Sequence, residues 1–507
     1  MRNRVLSLST FLILAAASHG ATTTTTAPQI SGVTAGSVTD TSATIAWTTD
    51  VASTSVVQFS TTSNPPASTD PTVSDSTLVT SHSIPLTGLL AGTQYFYSVT
   101  SCVSKKVCST LGGFGFITPP VPGTWKQLGS PNVTSTNTSL TINNRLWGIM
   151  ALSATNAWAV GFNNNPNGPQ FAENTLIEHF NGQSWQIVPS PNTSLPQNEL
   201  RAVAGSSATD IWAVGTALDP ATSPAKTLIL HFNGSSWTIV PSPSPDTSNN
   251  TLLAVAAISP TNAYAAGYHQ ALPTNTNPNP KSETLILHWD GTSWTQVASP
   301  NPNLASGFNN QLLGMTAVST TDIWAVGFSG NFQAFFEPLT LHFDGTSWNP
   351  VAAVTPSTGA TGDYFSAVSA IASHDIWAVG QTMGSTSTFP VLEHWDGVQW
   401  TKFGFRLSHT TNSNVAALHS VSAVASNFVW AVGEIGGSSL ILQWDGTAWN
   451  QVAAAIVNAS TTTPNTLQGV SAVDSNTAFA AGCFFMFTNS SQTAGMNQTL
   501  AETYSIP

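Results

Sequence analysis

The sequence predicts an all-β protein: an antiparallel β-sandwich over 29–119, then a seven-bladed β-propeller of four-stranded blades over 123–507, closed by its N-terminal strand. Three observations carry this expectation. Short segments of alternating apolar and polar residues fill the first part, a pattern of half-buried strands. In the second part a Trp-Ala-Val-Gly phrase, or a near variant, returns seven times at blade-sized spacing. The last repeat lacks a strand, and the segment just before the first repeat supplies one.

Residues 1–20 read as a secretory signal. Arg2 and Arg4 precede the apolar run Val5–Ala17, and the small-residue exit Ser18-His19-Gly20 follows. That run is shorter than the roughly 20 residues a membrane-spanning helix needs, and no later stretch is long and apolar enough to span. The expected location is therefore extracellular or at the cell surface. In that oxidising setting Cys102 and Cys108 are placed to staple a hairpin, while Cys483 is left over. The Thr-rich stretch 21–28 has no periodicity and reads as a linker.

In the sandwich, Ala43–Trp47, Ser55–Phe59 and Tyr95–Val99 alternate between turn-rich segments. Trp47, Leu89 and the run Gly92-Thr93-x-Tyr95-x-Tyr97 make this region resemble a fibronectin type III domain. The resemblance implies a core Trp on the second strand and a Tyr hydroxyl capping a nearby turn. Metallophosphatases of the purple acid class carry a similar domain ahead of their catalytic domain. The rest of this chain lacks their Gly-Asp-x-Gly and Gly-Asn-His-Glu metal motifs, so the resemblance implies no phosphatase activity.

The repeat glycines are Gly161, Gly215, Gly267, Gly327, Gly380, Gly433 and Gly482, spaced 54, 52, 60, 53, 53 and 49 residues apart. Each unit holds four strand candidates, as in Leu200–Gly205, Asp210–Val214, Thr227–Phe232 and Ser236–Val240. Asn233-Gly234 joins the last two, and Asp290-Gly291, Asp344-Gly345, Asp396-Gly397 and Asp445-Gly446 do the same elsewhere. The seventh unit ends after its third strand, Thr499–Tyr504. Gly123–Asn132 matches the fourth strand Gly291–Asn301 and supplies the missing piece. Such a strand removes two sheet edges at once, which a solenoid has no use for.

The units are similar to the Asp-box and photosystem-assembly-factor type of propeller repeat, in which an Asp-Gly turn precedes a Trp. The Ser-x-Asp opening of that box is missing, since His288 precedes Trp289. The resemblance implies a fold that sialidases and other glycoside hydrolases share with many proteins that only bind.

The second-to-third and inter-blade links are long and variable, and both fall on one end of the ring, where recognition usually resides. On that side the second position of each first strand differs from blade to blade: Trp147, Arg201, Leu253, Leu313, Ser366, His419 and Gln468. Trp147, Arg201, His419 and Gln468 are the candidate ligand-binding residues, with Arg201 and His419 gripping an anion or hydroxyl and Trp147 stacking. The third position is always small, as expected where seven strands converge.

No catalytic set stands out. Glu173, Asp219, Glu283 and Glu337 lie in or beside variable loops with nothing to pair them, and Asp210, Asp322 and Asp375 read as turn residues. His179, His231, His288, His342 and His394 recur on third strands, too far apart to share a metal, and read as within-blade hydrogen bonders. A sialidase-like triad would need all of Arg145, Arg201 and Arg406. No cofactor or metal site is expected. With 7% charged residues and a net charge of −12, the chain suits neither nucleic acid nor acidic lipid. The function expected is a secreted or surface binding or scaffold protein whose ligand is a glycan or extracellular protein. The alternatives are a polysaccharide hydrolase or lyase using loop carboxylates, or a structural spacer.

Overall fold

The structure, a computed structural model, describes residues 26–61, 67–90, 93–118, 123–134, 142–165, 172–220, 224–245, 248–272, 280–304, 307–331, 335–354, 362–383, 388–405, 415–455, 465–487 and 495–506. The expected signal over 1–20, most of the 21–28 linker, Gly92 and Arg406 lie outside them. The named elements are all β-strands, and among the described residues no helix is long and apolar enough to cross a membrane. The chain divides into two compact units, 1–121 and 122–507.

The first unit is an antiparallel sandwich. Strand Ser42–Ser60 pairs with Ile30–Gly36, Thr72–Thr87 and Gln94–Ser104, and the last of these pairs with Val107–Ile117. The segments Ala43–Trp47 and Ser55–Phe59, expected as separate strands, belong to one long strand with register shifts around Ser53. Trp47 is buried, stacks on His82 and donates its indole N–H to Ser101 Oγ at 2.9 Å. The Tyr95 hydroxyl accepts from Leu90 N at 2.8 Å, the turn cap that the resemblance implied. Cys102 and Cys108 face each other across the final hairpin and are disulfide-bonded.

The second unit is a closed seven-bladed propeller. The first strands are Asn144–Ser153, Gln197–Ser207, Ser248–Ser259, Asn309–Ser319, Gly362–Ala372, Ala416–Ala425 and Asn465–Ala472. Each contacts the next around the ring, and the seventh returns to the first, where Ala151 N donates to Ser471 Oγ at 2.9 Å. Thr124–Leu128 pairs antiparallel with Gly495–Ser505, matching Trp125 with Tyr504 and Leu128 with Ala501. Thr499 N donates to Asn132 Oδ1 at 2.9 Å, as Thr175 N does to Asn192 and Thr284 N to Asn301 in complete blades. The strand from the front of the chain therefore sits in the seventh blade as a native fourth strand sits in the others.

Aromatic residues fasten every blade to its neighbour. The second-strand ring of one blade meets the fourth-strand Trp of the next: Trp158 with Trp237, Trp212 with Trp294, Tyr264 with Trp348, Trp324 with Trp400 and Trp377 with Trp449. Trp430 with Trp125 and Phe479 with Trp185 complete the circle. All seven pairs are edge-on, with interplanar angles of 72–89° and centroids 5.1–6.2 Å apart, a geometry the ring quadrupole favours.

The recurrent His is a packing device. His231 Nε2 lies 2.7 Å from Asp210 Oδ1 while its ring packs on Trp212, and His179, His288, His342 and His394 repeat this with Asn156, Asn262, Asp322 and Asp375. Asp210, Asp322 and Asp375, expected as turn residues, are thus the partners of these imidazoles. Where the His gives way to Gln443 or Thr503, the matching acid or amide is replaced by Phe428 or Thr477.

The repeat glycine is dictated by a bulge. In all seven blades the first strand shifts register at one residue, as between Leu200 and Ala202, leaving Arg201 without a cross-strand partner. The kinked backbone drives a carbonyl into the second strand. A Cβ on Gly215 would fall on the Glu199 carbonyl oxygen, and the other six repeat glycines face the same collision. Gly215→Ala is expected to cost roughly 2–3 kcal/mol, because backbone cannot rotate away as a side chain would. Chemical denaturation of the variant checks this, and an unchanged midpoint would refute it.

Candidate functional site

The seven bulged residues ring the propeller axis. Trp147, Arg201, Leu253, Leu313, Ser366, His419 and Gln468 line a cavity of about 260 Å³. Behind them come Gly148, Ala202, Ala254, Gly314, Ala367, Ser420 and Gly469, then an apolar layer from Ile149 to Val470. The small layer is steric: a Cβ on Gly148 would stand 3.0 Å from Ala202 Cα, and one on Gly314 only 2.8 Å from Ala367 Cα. All four candidate residues, Trp147, Arg201, His419 and Gln468, line this one cavity.

Their environments differ from the sequence expectation in one respect. The Arg201 guanidinium lies 4.6 Å from the Trp147 ring centroid and pairs with Glu199, and Arg145 lies 5.9 Å from the same ring. An indole already covered by a cation is not the open stacking platform expected of Trp147. Across the mouth, burial holds the His419 imidazole below its ordinary value, with Glu434 pulling the other way. Its Nε2 is buried without a hydrogen-bond partner among the described residues. A neutral imidazole carries one N–H donor and one acceptor nitrogen.

Glu173, read from sequence as unpaired, has a partner. The blade 1 third strand (Glu173–Phe180) touches the blade 2 first strand (Gln197–Ser207) through a single parallel pair, Glu173 with Gln197. This sets Glu173 beside Glu199, with which it hydrogen-bonds. Burial, reinforced by the Glu199 carboxylate, pushes Glu173 up to about 8, although Arg201 and Arg145 oppose the shift. The Glu173 carboxyl is thus held protonated at neutral pH. Nothing in local spacing announces this pair, since it forms across a blade boundary.

A second cavity of about 330 Å³ lies between blades 2 and 3. It is lined by Glu199 and Arg201 on one side and by Asn249, Thr251, Tyr268 and Gln270 on the other. Arg201 therefore stands in the walls of both cavities.

Residues 28–111 match the family model of the purple acid phosphatase N-terminal domain, well under half of the chain. No curated protein matches. Among solved structures, the chain is similar to YCF48 bound to a D1 peptide, at 14% identity and a TM-score of 0.42, covering 76% of this chain and 96% of that one. A polysaccharide lyase, an ulvan lyase bound to a glucuronate–sulfated rhamnose saccharide, is similar at 9% identity and a TM-score of 0.39, covering 72% and 90%. An α-L-arabinanase from Penicillium chrysogenum complexed with arabinobiose follows at 10% identity and a TM-score of 0.36, covering 62% and 94%. At such identities each ligand remains a property of the protein named.

Proposed function

We propose that the protein is an exported binding protein that holds a saccharide at the axial mouth of its propeller. The observation that carries this reading is the ring of seven bulged, blade-specific residues around one cavity, set on a scaffold that otherwise repeats itself. A bulge turns a side chain out of the ladder, so residue identity there is released from packing. Polar groups converging on a concave site are what recognition of a hydroxyl-rich ring requires. Export is supported by the sequence character of residues 1–20 and by the Cys102–Cys108 bond.

The enzymatic alternative has one observation in its favour, the Glu173–Glu199 pair. Carboxyls in hydrogen-bond contact are nearer than the roughly 5–9.5 Å that glycoside hydrolysis uses. Bound oligosaccharide is therefore expected to be recovered without hydrolysis by this pair.

A panel of immobilised oligosaccharides tests the reading. The protein is expected to retain one class, and Arg201→Ala to weaken retention about tenfold or more while moving the unfolding temperature by only a few degrees. Retention of nothing, or equal retention by the variant, would remove the axial mouth from consideration.

A further inference from the structure

We infer that the mouth between blades 1 and 2 takes the carboxylate of an acidic sugar, held by Arg145 and Arg201, with the adjoining sugar ring in the cavity between blades 2 and 3. This rests on the saccharide reading above and names its ligand class.

The charge distribution points there first. The chain carries a net charge of −12 with few basic residues, yet the two arginines among the described residues both lie against the Trp147 indole. Arg201 has Glu199 as its ion-pair partner. For Arg145 the described residues offer no carboxylate within ion-pair distance; its guanidinium faces the Asn497 side-chain amide, 2.9 Å from Nη2. Glu199 is itself hydrogen-bonded to Glu173, which burial and Glu199 keep protonated at neutral pH. Arg145 is thus the guanidinium left without a carboxylate partner, and Glu434, which acts on His419 and, together with Arg145, on Cys483, is the further carboxylate near this mouth.

The neighbouring cavity indicates what carries that anion. Arg201 lines both spaces, and beyond it Asn249, Thr251, Tyr268 and Gln270 present amides and hydroxyls with one aromatic ring. These groups donate and accept hydrogen bonds as ring hydroxyls require, beside Arg201, Glu199 and the apolar Leu218 and Ala225. A uronate unit at Arg201 with its neighbour in this cavity satisfies both observations.

The pair also sets a pH dependence. The charged groups acting on Glu173 are Glu199 and Arg201 from blade 2 and Arg145 from blade 1. Above about pH 8 Glu173 ionises and sets a negative charge beside both guanidiniums, so affinity for an anion must fall as pH rises.

Calorimetric titration of trisaccharides of galacturonate, glucuronate and mannuronate, each beside its uncharged counterpart of the same linkage, tests the proposal. Near pH 7 one uronate is expected to bind at least about tenfold tighter than its neutral partner. That preference should decline by up to tenfold per pH unit above 8. Glu173→Gln should hold the preference through the same range, and Arg145→Gln should lower it about tenfold. The pH profile of the unaltered protein stands without any variant's folding. If neutral and acidic sugars bind equally, or the preference is flat with pH, the carboxylate assignment falls and the saccharide reading survives. If no trisaccharide of either kind binds, both fall together.

Discussion

Removing Gly123–Asn132 is expected to abolish the closed ring. The deletion strips the seventh blade of its fourth strand, exposing the unpaired edge of Gly495–Ser505. It also removes Trp125, which meets Trp430 edge-on and packs against Tyr504. The sixth and seventh blades lose their shared aromatic joint together with five backbone-paired positions. A free edge beside exposed aromatics is a template for association. The variant should therefore elute as aggregate or unfold well below the parent temperature, whereas monomeric elution with unchanged unfolding would show that blade 7 does not depend on this strand.

A second large effect concerns three glutamates. Glu178, Glu393 and Glu502 occupy the third-strand position that holds Leu230, Leu287, Leu341 and Leu442 in the other blades, and all are fully buried. Each reaches the segment after the preceding blade's fourth strand: Glu178 accepts from Ser130 Oγ at 2.7 Å, Glu393 from Val354 N at 3.2 Å and Glu502 from Ala455 N at 3.1 Å. The other carboxyl oxygen, Oε1, finds no partner among the described residues in any of the three. Burial pushes Glu178 up to about 8 and Glu393 and Glu502 up to about 7, from an ordinary value of 4.5. The folded state then binds more protons than the unfolded chain between about pH 4.5 and 8, so these groups contribute stability at low pH that is lost as pH rises through their raised values. The slope approaches about 1.4 kcal/mol per pH unit for each carboxyl. Replacing all three with Gln should flatten thermal stability across that window and raise it at pH 9. A parent whose unfolding temperature does not change between pH 5 and 8.5 would contradict this.

Much of the fold was legible because a ring repeats its constraints. Each blade needs an apolar second strand, a tight third turn and a Trp at the next joint, so Trp212, Asn233-Gly234 and Trp237 recur in kind at blade spacing. The closing strand was legible for the same reason, since Trp125 and Asn132 stand where Trp294 and Asn301 do. The bulge escaped notice because a one-residue register shift leaves the spacing of Leu200 and Gly215 untouched; its trace was the invariant glycine, readable as a close approach only once the opposing carbonyl was placed. Position along the first strand was enough to gather Trp147, Arg201, His419 and Gln468 at one cavity. It could not tell that Arg201 would cover Trp147, because both side chains come from neighbouring blades. The Glu173–Glu199 contact was hidden likewise, its partners 26 residues apart on strands whose adjacency depends on how two blades meet. Pairing Asp210 with His231 was within reach, since acid or amide and His vary together from blade to blade.

Chain closure is tested most directly by a cross-link between the two ends of the propeller. Lys126 and Thr503 are cross-strand partners in the seventh blade, so the double substitution Lys126→Cys with Thr503→Cys, made together with Cys483→Ser, should form an intramolecular disulfide on oxidation. Peptide mapping by mass spectrometry would then recover the two segments as one bridged species from monomeric protein. Recovery of both cysteines as free thiols, or bridged only between separate molecules, would show that the front of the chain does not complete the last blade.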